Sequence, residues 1–196
     1  METITTTLFF QGKSIQEIIT YIPFVVNEIM NAIREIINLG ETRIIVPGNF
    51  PIGCIPIYLT TFPNSNPRAY DEFGCLRGLN QFARRHNYYL QRALALLRIE
   101  FPDVVIVYAD YYSAFESVLR RAPYIGFDQG SLLKACCGIG GVYNYDGSRM
   151  CGSRGVPVCE NPSERIHWDG VHLTQEAYHR MSEVLINDIL SRIQCV

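Results

Sequence analysis

Apolar residues recur at helical spacing from Ser14 to Leu39. Ile15, Ile18, Ile19 and Ile22 form one face, which Val25, Val26, Ile29, Ile33, Ile36 and Ile37 continue. This predicts a helix that Pro23 kinks or restarts and Gly40 ends. Leu76, Leu79, Phe82, Ala83, His86, Leu90, Leu94 and Leu97 mark a second amphipathic helix, over 75–99. "YYSAFESVLRRA" predicts a third. Thr174 is placed to cap a last helix, with Ala177, Tyr178, Met181, Leu185 and Ile189 toward the core. Two unbroken apolar runs, "RIIVP" (Arg43 to Pro47) and "DVVIVYAD" (Asp103 to Asp110), predict short buried strands. Residues 51–70, rich in Pro and Asn, and 123–166, rich in Gly and Cys, are expected to be loops.

Helices alternating with strands imply an α/β domain with a parallel sheet. At 196 residues the chain is expected to form a single domain. Two strands cannot cover four helices that each carry a full apolar stripe. The expectation is therefore an incomplete domain, the C-terminal part of a larger fold, able to associate through its uncovered apolar faces.

Composition narrows the function. With 48% hydrophobic and 18% charged residues the chain is neither disordered nor membrane-embedded, and no apolar run is long enough to span a bilayer. A net charge of −2 gives no electrostatic footprint for nucleic acid. "METITTTLFF" lacks the basic and long apolar regions of a signal peptide. The seven cysteines point the other way, since Cys136, Cys137, Cys151 and Cys159 crowd one loop, as disulfides in an oxidising compartment do. Disulfides are expected among Cys75, Cys136, Cys137, Cys151 and Cys159, with the pairing open. The odd count leaves one thiol over. No Cys-x-x-Cys pair favours zinc, and "NPS" at Asn161 fails as a glycosylation site because of its proline.

The chemistry concentrates in "HWDGVHLT", His167 to Thr174. Asp169 precedes His172 by three residues across an Asp-Gly turn, a spacing that brings a carboxylate beside an imidazole. Such a carboxylate fixes the ring's tautomer and stabilises the imidazolium formed in acyl transfer. The same spacing also suits a turn-shaping Asp and a surface His. A metal held by His167, Asp169 and His172 is disfavoured, because three ligands on so short a loop rarely converge. None of the ten serines follows a strand in a Gly-flanked turn; Ser113 comes nearest, and reads as an ordinary helix start. Gly48 and Asn49 end the first strand, where Asn49 reads as a turn residue bonded to its own backbone or as an amide presented to substrate. His86 reads as a core histidine. Tyr108, Tyr111 and Tyr112 read as core or pocket lining.

Five stretches in order, "VPGNFPIGCIPIYLT", "YDEFGCLRGLNQFARRHNYYLQ", "VVIVYADYYSAF", "ACCGIGGVYNY" and "HWDGVHLTQEAYHRMSE", resemble the plant GDSL esterase/lipases of the SGNH hydrolases, from about Leu8 to about Leu190. The resemblance implies a flavodoxin-like three-layer αβα sandwich with a five-stranded parallel sheet. It also implies carboxylic ester hydrolysis by a Ser-His-Asp mechanism, secretion, a small-molecule ester substrate, and no metal or other cofactor. Asp169 and His172 match the family's acid and base. Its nucleophilic Ser, in a Gly-Asp-Ser block, and its oxyanion-donor blocks have no match here, and Asn49 falls in a different stretch. The resemblance thus implies that the nucleophile, further strands, a cysteine partner and the signal peptide belong to an N-terminal half, and that these residues alone are inactive. The alternative is a non-catalytic short paralogue that binds a ligand or partner.

Overall fold

The computed structural model describes residues 11–193. Met1–Phe10, the stretch compared above with a signal peptide, and Cys195 lie outside these residues.

The predicted helix over 14–39 is two helices, α1 (Ile15–Ile19) and α2 (Ile22–Asn38). Ser14 and Glu17 close a capping box at the start of α1. Pro23 restarts the chain in the first turn of α2, because its ring excludes the carbonyl four residues back, at Ile19, the last residue of α1. Gly40, at φ +102°, turns the chain out of α2.

Strands β1 (Arg43–Pro47) and β2 (Val105–Ala109) pair in parallel, with Arg43 opposite Val105 and Pro47 opposite Ala109. Helix α4 (Arg77–Glu100) is the crossover between them, and every residue of its predicted stripe from Leu79 to Leu97 is buried. β1 is not the buried strand expected. Ile44 and Val46 face the core, while Arg43, Ile45 and Pro47 are exposed.

The loop predicted over 51–70 contains a short helix, α3 (Pro56–Thr61), between 3-10 turns at Ile52–Cys54 and Pro67–Ala69. Pro56 presets the first helical φ, and buried Tyr58 and Leu59 anchor the turn. Six residues are too few for periodicity to reveal.

Helix α5 (Tyr111–Arg121) packs on α6 (Gln175–Ile193). On α6 only Ala177 and Met181 of the predicted face are buried. Tyr178 is exposed, and Leu185 and Ile189 are half-buried. For Leu185 and Ile189 the cause is length, since the 11 residues of α5 cannot cover the 19 of α6.

Three disulfides staple the loops: Cys54–Cys75, Cys136–Cys159 and Cys137–Cys151. All five predicted cysteines are bonded. Cys75 takes Cys54, which the prediction left out. The last two bridges hold the long 123–166 loop, which has only 3-10 turns of its own. Peptide mapping of non-reduced protein should recover these three pairs. Replacing Cys137 and Cys151 together by Ser should cost about 2–5 kcal/mol in chemical denaturation. A Cys136–Cys151 peptide in the map would contradict the connectivity.

Candidate active site

The Asp169–His172 turn is closed by one carboxylate. Asp169 Oδ1 accepts hydrogen bonds from the N–H groups of Val171 (2.9 Å) and His172 (2.7 Å). Oδ2 accepts from His172 Nδ1 at 2.8 Å. With the proton on Nδ1, the neutral ring carries its basic lone pair on Nε2. Partial burial works to raise the Asp169 pKa, but hydrogen bonds from the His172 backbone and ring and from Val171 outweigh it, and the carboxyl sits below its usual range. The Asp169 side chain is 19% exposed and that of His172 is 64% exposed, so the anchor is sheltered and the ring stands at the surface. Acyl-transfer chemistry requires this arrangement of its general base.

Trp168 N–H closes the turn onto the His172 carbonyl (2.8 Å), and three further backbone bonds tie it to the body: Ile57 N–H reaches Gly170 (3.0 Å), and Cys136 and Cys137 donate to His167 and Trp168. Thr174 caps α6 as predicted, its hydroxyl oxygen accepting from Ala177 N–H. A cleft of about 770 Å³ adjoins the turn, lined by Trp168, Leu173, Glu176 and His179 among others.

His167 is separated from this surface. It is fully buried beside Phe115, ring centroids 5.8 Å apart, and neither ring nitrogen has a hydrogen-bond partner. Burial pushes its pKa down to about 3, against a smaller opposing effect of Asp169. Among the described residues no group of three or more His, Cys, Asp or Glu is placed to hold a metal ion.

The other candidates make contacts of their own. Asn49 is not bonded to its own backbone. Its N–H donates to Asn87 Oδ1 (2.7 Å) and its carbonyl accepts from Asn87 Nδ2 (2.9 Å). Nothing in the sequence pattern marked Asn87. His86 is a buried core histidine, its pKa lowered by burial. Tyr108 and Tyr112 line a cleft of about 340 Å³ with Arg84, Asp110 and Glu116. Tyr111 packs edge-on against Phe50. Asp110 caps α5, accepting from the N–H of Ser113 (3.1 Å) and from its hydroxyl (2.7 Å).

Comparison with known proteins assigns this α/β body to a family. Residues 7–185 match the GDSL-like Lipase/Acylhydrolase family, and the chain belongs to it. It is 58% identical over 187 residues to a GDSL esterase/lipase of Arabidopsis thaliana, covering 95% of this chain and 57% of that protein. It is 52% identical to acetylajmalan esterase 1 of Rauvolfia serpentina (95% and 48% covered) and 41% identical to sinapine esterase of Brassica napus (91% and 46%). The chain spans about half the length of these relatives. No helix among the described residues is long and apolar enough to cross a membrane.

The pH dependence of stability should follow His167. An unfolded histidine binds a proton near pH 6.5, which the folded state refuses until about pH 3. Stability is therefore full above pH 6.5 and falls as pH drops through this window. Asp169 acts lower, its contribution lost only as pH falls below the unfolded carboxyl value of about 3.9 and through its depressed folded value. Urea midpoints at pH 7, 5.5 and 4.5 should decline in the parent and decline less in His167→Phe. Equal declines would remove His167 as the cause.

Proposed function

We propose that this chain carries the acid and base of a Ser-His-Asp carboxylic ester hydrolase acting on small-molecule esters. The observation that supports it most is the 2.8 Å contact from His172 Nδ1 to Asp169 on a turn fixed at every backbone group named above. His172 takes the proton of the attacking serine, returns it to the departing alcohol and then activates the deacylating water. Asp169 orients the ring and stabilises its cationic form.

In this reading the nucleophile is not among the 196 residues. The sequence contains no Gly-Asp-Ser, and the hydroxyls of Ser14, Ser113, Ser131, Ser148, Ser182 and Ser191 bond to neighbours within three residues. The described strands then belong to one incomplete SGNH domain, part of a larger parallel sheet in a three-layer αβα sandwich. The exposed face of β1 supports this, and exposed Phe24, Leu39, Leu96 and Ile99 support association through apolar surface. Three disulfides support a secreted protein.

The purified chain should hydrolyse short aryl esters no faster than its His172→Ala variant. Loss of one oxyanion donor alone costs about 10²–10³ in rate, and the proposal removes the nucleophile as well. Adding the portion of the Arabidopsis relative outside the match should restore turnover, and His172→Ala should abolish it. His172-dependent turnover by the chain alone would overturn the missing nucleophile. A folded mixture without turnover would overturn the acid–base assignment.

A further inference from the structure

Four backbone hydrogen bonds hold the Asp169 turn, but they leave one side of it to a side chain. Gly170 adopts φ +90°, and its Cα lies against the ring of Tyr145. A Cβ at Gly170 would be driven into Tyr145 Cδ2 and would stand 3.0 and 3.1 Å from Cε2 and Cγ. The Cδ2 edge of an aromatic ring thus occupies the space a side chain would take. Tyr145 is only 6% exposed, and its N–H donates to the Gly140 carbonyl at 3.0 Å. It lies inside the ring closed by Cys137–Cys151, and Cys137 donates its own N–H to Trp168, next to Asp169. One covalent loop therefore grips the catalytic turn at two points, through a backbone amide before Asp169 and an aromatic ring edge against Gly170.

We propose that Tyr145 is a positioning residue for the Asp169–His172 pair, its ring the surface against which the Asp-Gly turn is set, with Cys137–Cys151 holding that ring in place. The proposal deepens the acid–base reading above and rests on it. Burial raises the Tyr145 phenol pKa, and the charge of Asp169 raises it further, in keeping with their proximity. The contact with Gly170 is made by ring carbons, so the hydroxyl is dispensable and the flat ring is not.

The test is 15N NMR of the imidazole nitrogens in the labelled 196-residue chain, without substrate. In the parent, the His172 shifts should report a proton fixed on Nδ1, and Asp169→Asn should lose that signature. Tyr145→Phe should keep it. Tyr145→Leu, similar in bulk but not flat, should lose it and shift His172 toward a mixture of tautomers, while the buried His86 signals stay unchanged and so report an intact core. A Tyr145→Leu protein with unchanged His86 and unchanged His172 signals overturns the proposal. If Tyr145→Leu fails to fold, Cys137→Ser with Cys151→Ser leaves the ring but frees its loop. Loss of the signature there supports the proposal, and its retention overturns it. No turnover is read, so failure of the esterase reading and failure of this one are separate results.

Discussion

A single carboxylate carries the organisation of the site. Asp169 divides its two oxygens, one closing the turn through two backbone amides and the other holding the imidazole. The first task makes the second possible, because the ring can be held only if the turn that carries it is rigid. Hydrogen bonds to a charged acceptor are worth about 1.5–3 kcal/mol each, more than neutral ones, and they grow stronger where water is partly excluded. The sheltered oxygens and the exposed ring are two sides of one arrangement.

The turn borrows its rigidity from elements distant in sequence. Ile57, at the start of α3, reaches Gly170, and adjacent Cys136 and Cys137 reach the two residues before Asp169. The 123–166 loop has no regular structure beyond 3-10 turns, so its disulfides supply the order that a hydrophobic core supplies elsewhere. Beneath the turn, His167 sits buried and neutral beside Phe115 on α5, tying the site to the core that Phe115 shares with Ala177 and Met181 of α6, at the expense of acid stability.

What was legible in the sequence was local. The α4 stripe, both strand positions and the Asp169–His172 contact follow from spacing within a few residues, and each is present. What was missed depends on through-space neighbours. Cys54 meets Cys75 because the Ile52–Cys54 turn packs against the start of α4. Tyr178 stands between buried Ala177 and Met181 along α6 but is turned round the helix to the margin of their stripe, so pattern alone placed it inside. β1 reads as an apolar run, yet Arg43, Ile45 and Pro47 on one face of it are exposed. Tyr145 and Asn87 act at sites 25 and 38 positions away, where no periodicity connects them.

Asn87 does something usually left to the main chain. Its carboxamide accepts from the N–H of Asn49 and donates to the carbonyl of the same residue, as the peptide group of a neighbouring strand would. A helix side chain thus serves as a surrogate peptide at the point where β1 ends. The role is chemical as well as steric. Aspartate has nearly the same shape, but it would present an oxygen, not a donor, to the Asn49 carbonyl, turning half of the pair from attraction to repulsion. The end of the strand is therefore specified by one nitrogen atom on a helix, and an isosteric replacement would not preserve it.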